Sequence, residues 1–64
     1  MLNAADKKFL REMIEHHRVA IKMAKMVLKD GTDLEVDGLA SAIVEAQGEE
    51  IEQIQKLLIR AAYA

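Results

Sequence analysis

The sequence predicts an all-α protein in which two helices form an antiparallel hairpin and two hairpins assemble into a four-helix bundle. The first observation is composition: among 64 residues there is no proline, no cysteine and only three glycines, which is typical of helical proteins. The second is that apolar residues recur at helical spacing in both halves of the chain. The third is a single turn signal, Asp30-Gly31-Thr32-Asp33, between those halves.

The first helix is predicted from about residue 4 to residue 29. Asn3 can cap it, and Asp6 lies near the positive end of the helix dipole. No breaker interrupts the segment up to Lys29. Its apolar stripe comprises Phe9, Leu10, Met13, Ile14, Ala20, Ile21, Met23, Ala24, Val27 and Leu28.

The turn is predicted over residues 30–33 and the second helix over about 33–62. Gly31 can adopt the left-handed conformation that ends a helix, and Thr32 with Glu35 has capping-box spacing. Helices joined by so short a turn lie antiparallel, which makes residues 1–64 a single hairpin domain. The second stripe comprises Val36, Leu39, Ala40, Ile43, Val44, Ile51, Ile54, Leu57, Leu58 and Ala61.

A lone hairpin cannot cover apolar stripes of this width. Each extends over about half of the helix circumference, and a chain this short without disulfides usually needs a metal or a partner subunit for stability. The sequence therefore predicts a homodimer or a higher homo-oligomer. Residues 1–31 carry seven Lys/Arg and four Asp/Glu, a net +3, and residues 32–64 carry two and seven, a net -5. These charges favour pairing a basic helix with an acidic one, or they are simply solvated surfaces.

The segment Met13-Ile14-Glu15-His16-His17 holds both histidines of the chain. Helical spacing predicts that both rings point inward, with Met13 one turn earlier. A buried imidazole requires hydrogen-bond partners, water or a metal. Residues whose numbers add to about 63 or 64 share a level of the hairpin, so the histidines are expected to face Gln47, and Met13 to face Glu50.

These residues predict a metal-binding site for copper or silver, with zinc or iron as further possibilities. Imidazole and thioether ligands suit Cu(I) and Ag(I), whereas imidazole with carboxylate suits Zn(II), Cu(II) or Fe(II). Glu50 can act as a ligand or orient a ligand, and Met23 can extend the cluster. The predicted metal-site residues are Met13, His16, His17, Met23, Gln47 and Glu50.

Two other interpretations remain open at this point. In one, the protein is a structural dimerisation module in which the histidines, Gln47 and Glu50 form a hydrogen-bonded layer that fixes register, and the methionines fill the core. In the other, which has less support, it is a ferritin-like di-iron redox protein. Such proteins use Glu-x-x-His motifs, and this sequence contains none.

Several function classes are disfavoured by the sequence. A net charge of -2 and only two aromatic residues, Phe9 and Tyr63, argue against nucleic-acid binding. No apolar run is long enough to span a membrane, and residues 1–6 lack the features of a signal peptide. The hydroxyls of Thr32 and Ser41 lie far from the histidines, so a binding protein is favoured over an enzyme.

Two linked patterns carry a resemblance to a known family. They are Asp6-x-x-Phe9-Leu10-x-x-Met13-Ile14-x-His16-His17-x-x-Ala20-Ile21-x-Met23-Ala24 and Leu39-Ala40-x-x-Ile43-x-x-x-Gln47-x-x-Glu50-Ile51. Over nearly its whole length the chain resembles the domain-of-unknown-function family DUF305. The resemblance implies a ferritin-like helical bundle, found mostly in secreted or periplasmic bacterial proteins, and copper or silver binding in some members.

The family's signature residues correspond here to Met13, His16, His17, Met23, Gln47 and Glu50. One position departs from the pattern. The family usually has a methionine one turn after its Glu-Ile pair, where this chain has Ile54. That difference removes a possible soft ligand.

Overall fold

Residues 1–63 are described by a computed structural model, and they form two helices, α1 (Ala4–Asp30) and α2 (Leu34–Tyr63). The helices pack against each other as a hairpin measuring 47 × 15 × 13 Å. Within the described residues there is no strand, so the all-α prediction is confirmed. Each helix boundary lies within one residue of its predicted position.

A capping box starts α1. The Asn3 side chain accepts a hydrogen bond from the Asp6 N–H (2.8 Å), and the Asp6 carboxylate accepts one from the Asn3 N–H (3.0 Å). Asn3 therefore caps α1, as predicted. Asp6 does more than face the dipole, because it satisfies a second backbone donor.

Gly31 does not adopt the left-handed conformation, so that prediction is wrong. Its φ of -81° and ψ of 164° are extended, and its N–H donates to the Val27 carbonyl oxygen at 2.7 Å. The glycine is required by a close approach instead. A Cβ at this position would lie 2.6 Å from the Val27 carbonyl oxygen.

The second helix is capped by Asp33, so the predicted capping box of Thr32 and Glu35 is also wrong. An Asp33 carboxylate oxygen accepts a hydrogen bond from the Val36 N–H at 2.9 Å. Since α2 begins at Leu34, Asp33 occupies the N-cap position itself and Thr32 lies one residue too early.

The buried part of the hairpin is one narrow row along each helix. Leu10, His17 and Ala24 recur every seven residues on α1, and Ala40 and Ile54 lie opposite them on α2. Much of both predicted stripes stays outside this row. The large apolar side chains that remain exposed include Phe9, Met23, Leu28, Val36 and Leu39. A single hairpin therefore leaves a wide apolar surface uncovered.

Neither helix, within the described chain, contains a stretch sufficiently long and apolar to cross a lipid bilayer.

Candidate functional site

His17 lies at the middle of α1 and is 6% exposed. Its Nε2 is 2.5 Å from Oε1 of Glu50 on α2. An ionised carboxylate can only accept hydrogen bonds, so Nε2 carries the hydrogen and donates it. Within residues 1–63, this is the one side-chain hydrogen bond or ion pair that joins the two helices. No lysine or arginine within residues 1–63 forms an ion pair between the helices, so the hairpin agrees with the alternative in which these charges are solvated surfaces.

The pairing differs from the predicted register, in which Met13 faces Glu50 and the histidines face Gln47. Side chains on a helix lean toward its N-terminus. In an antiparallel hairpin His17 therefore leans away from the turn, whereas Glu50 leans toward it. The two tips converge although their Cα atoms lie at different levels. Gln47 is half-buried and, in the described chain, has no side-chain hydrogen bond.

The second ring nitrogen of His17 is buried without a partner. Among the described residues, no donor or acceptor reaches Nδ1. In the neutral ring with its hydrogen on Nε2, Nδ1 carries a free lone pair. Buried polar atoms in folded proteins nearly always have a partner. The hairpin alone therefore leaves the hydrogen-bonding capacity of this nitrogen unsatisfied.

A groove beside this pair brings a sulfur ligand close to it. Met13 is half-buried and lines the groove together with His17 and Glu50. Phe9, Leu10, Gln53, Ile54 and Leu57 form the rest of its wall. A thioether, an imidazole and a carboxylate thus share one apolar groove.

His16 and Met23 lie outside this cluster. His16 is exposed and Met23 is 65% exposed, so the prediction that they point into the hairpin is wrong. Since His17 occupies the buried row, the next-door His16 is rotated by about 100° away from it. Within the described residues, no group of three or more His, Asp or Glu side chains is placed to hold a metal ion.

His16 and Met23 nevertheless share a surface with Met13 and Glu50. We call this surface the apolar face; it lies roughly a quarter turn from the buried row on both helices. One groove in it contains the His17–Glu50 pair, and a second lies nearer the turn. The apolar face comprises Phe9, Met13, His16, Ala20, Met23 and Val27 of α1 with Leu39, Ile43, Ala46, Glu50, Gln53 and Leu57 of α2.

The opposite surface of α1, which we call the basic face, has a different character. It presents Lys7, Arg11, Arg18, Lys25 and Lys29. By contrast, Glu50 is the single charged side chain that lines the two grooves of the apolar face. The spacing of the lysines and arginines on the first helix predicts this segregation, because it places them opposite the apolar stripe.

A family model described as "Domain of unknown function (DUF305)" matches residues 1–58. The chain is also similar to the "Uncharacterized protein L153" of Acanthamoeba polyphaga mimivirus, with 36% identity over 53 residues. That alignment covers 83% of this chain and 35% of the viral protein, so the chain spans about a third of that relative's length. No solved structure matches.

Proposed function

The chain belongs to the domain-of-unknown-function family DUF305, and we propose that it is a small protein that binds copper or silver through Met13, His17 and Glu50. The observation that carries this proposal is the buried, unpartnered Nδ1 of His17 on a ring whose other nitrogen is bonded to a carboxylate. Metal-binding histidines are commonly oriented in this way, with one nitrogen donating to a carboxylate and the other left for the metal.

The donor set favours a soft ion. A thioether next to an imidazole suits Cu(I) or Ag(I), and Glu50 is the single carboxylate in a groove whose other walls are apolar except for Gln53. Glu50 either joins the ligands or orients the His17 ring. Zinc and iron fit less well, because they prefer several nitrogen, thiolate or oxygen ligands and one chain offers two of these in contact.

A homodimer in the form of a four-helix bundle is the second part of the proposal. The chain exposes 5149 Å², whereas a compact protein of this mass exposes roughly 4100 Å². The excess is comparable to the ~800 Å² that one partner buries in a standard interface. Two hairpins would also double the ligand set.

Titration of the purified chain with Ag(I), and with Cu(I) without oxygen, tests the metal proposal. We expect His17→Ala and Met13→Leu each to weaken binding by about 10- to 100-fold. Met26→Leu is the matched control, because Met26 is 57% exposed and lies away from the cluster; it should bind like the unaltered chain. Equal affinities of the His17→Ala and unaltered chains would refute the site.

One observation favours a structural dimerisation module as a second candidate. The hydrogen bond between His17 and Glu50 joins the two helices without any metal, as a register-setting polar layer would. A ligand that binds only the folded state raises the melting temperature. If Ag(I) leaves the melting temperature unchanged while His17→Ala lowers it, the structural role is correct and the metal role is not.

A further inference from the structure

We propose that His16 acts across the dimer: in a two-fold assembly through the apolar face, His16 of one copy contacts the partner's Glu50, which also holds the partner's own His17. Each site then contains residues from both chains. This inference rests on the dimer proposed above, and it gives a role to the histidine that the single hairpin leaves exposed.

The apolar face is the surface best suited to bind a second copy. It presents no lysine or arginine, and it leaves Phe9, Met23 and Leu39 exposed by 60%, 65% and 63%. Its two grooves are apolar, and its one carboxylate belongs to Glu50. A purely apolar partner would bury that carboxylate without adding a hydrogen bond, which is costly. A second copy supplies a polar layer of its own.

Symmetry brings the two polar layers to the same level. His17 is the central residue of α1, and Glu50 lies near the middle of α2. A two-fold axis through the centre of the face places the middle of one hairpin over the middle of the other, whether the axis runs along the hairpin or across it. In both orientations the His17–Glu50 pairs of the two chains meet.

Charge selects between these orientations. An axis along the hairpin places α1 over the partner's α2, whereas an axis across it places α1 over a second α1. The second arrangement also places α2 over the partner's α2 and brings the two Glu50 carboxylates together at mid-length, where the apolar face offers no lysine or arginine to offset them. Opposite charges attract and like charges repel across an interface, so the axis along the hairpin is favoured.

In this orientation His16 points at the partner's Glu50. The level of His16 on α1 corresponds to the region of residues 46–50 on the opposing helix, where the small side chain of the partner's Ala46 leaves space for a ring. The Glu50 side chain is 52% exposed, and its Oε1 is used by His17. Its other oxygen has no partner within residues 1–63 and can accept a hydrogen from His16.

Disulfide cross-linking tests the contact, because the chain contains no cysteine. A His16→Cys chain is mixed with an Ala46→Cys chain and mildly oxidised without metal. We expect mixed disulfide dimers to exceed His16→Cys homodimers by at least about tenfold, since bridged Cα atoms must lie within about 7 Å. An equal mixture of Arg18→Cys and Gly48→Cys chains, at the same level on the opposite surface, should stay monomeric under denaturing conditions.

Predominant His16→Cys homodimers would overturn the proposed orientation, and efficient bridging of the Arg18→Cys and Gly48→Cys mixture would overturn the choice of face. No cross-linking in either mixture would overturn the dimer contact. None of these results involves metal, so they leave the affinity test of Met13 and His17 independent.

A double-mutant cycle tests the interaction of the two side chains in otherwise unlinked protein. His16→Ala and Glu50→Gln should each raise the dimer dissociation constant by roughly tenfold. If the two residues contact each other, the double variant should resemble either single variant. A rise equal to the product of the two single effects, measured by sedimentation, would show that the residues act independently and would overturn the proposal.

Discussion

The apolar face, to which both helices contribute, and the basic face of α1 differ in almost every physical property. The apolar face combines exposed methionine, phenylalanine and leucine with a single carboxylate, whereas the basic face of α1 places a Lys or Arg side chain at nearly every turn. Long charged side chains keep a surface hydrated and resist association. The difference supports the proposal that the apolar face binds a second copy while the basic face stays in solvent.

The adjacent histidines follow the same division. His17 is buried in the row between the helices and is bonded to Glu50, whereas His16 is exposed on the apolar face. A rotation of about 100° per residue separates them. The two adjacent histidines therefore point in different directions, His17 between the helices of its own chain and His16 outward.

The largest expected effect comes from placing a charge on the apolar face. Met23→Lys should raise the dimer dissociation constant by about 100-fold, because symmetry buries two unpaired ammonium groups at once. Sedimentation velocity over a range of chain concentrations measures this change.

Met26→Lys is the control for that variant. Both methionines are more than half exposed on the same helix, but Met26 points away from the apolar face. Its substitution should change the dissociation constant by less than about threefold. If the two variants dimerise equally well, the apolar face is not the interface.

The next prediction compares how substitutions of the two histidines affect stability as the chain is diluted. His17→Ala should lower the free energy of unfolding by about 2–3 kcal/mol at every chain concentration, because it leaves a cavity and removes the hydrogen bond between the helices. The loss caused by His16→Ala should disappear once the chain is dilute enough to be monomeric. Urea denaturation at several concentrations measures both. A His16→Ala loss that persists on dilution would contradict the outward role of His16.

Much of the fold could be predicted from the sequence because helical spacing and caps act locally. The two helices, the cap at Asn3 and the single turn all follow from short-range patterns. The details of the turn could not be predicted, because a glycine can be required either by a left-handed backbone conformation or by the close approach of other atoms. Gly31 is required by the close approach of the Val27 carbonyl oxygen. Similarly, Thr32 and Asp33 are both good caps, and only the exact helix start chooses Asp33.

The site could be predicted in part. Spacing predicted that His16, His17 and Glu50 all point inward; His17 is buried, whereas His16 is exposed and the Glu50 side chain is 52% exposed. Spacing could not tell which of the two adjacent histidines occupies the buried row. That choice depends on how the whole helix rotates to bury Leu10 and Ala24 together with His17. The lean of side chains along antiparallel helices then decided the pairing with Glu50. Packing settles both facts, and residue numbers alone do not.

The smallest expected effect concerns the solvent-facing side of α2 at the level of the site. Gly48 lies inside the helix, and a Cβ added there would have no atom within 4 Å. Gly48→Ala should therefore raise the free energy of unfolding by about 0.5–1 kcal/mol through helix propensity alone, without changing the dimer dissociation constant. Gly31→Ala should have the opposite sign, since its Cβ would meet the Val27 carbonyl oxygen at 2.6 Å. If Gly48→Ala weakens dimerisation, the surface that carries Gly48 takes part in the interface, and the division between the two faces would have to be redrawn.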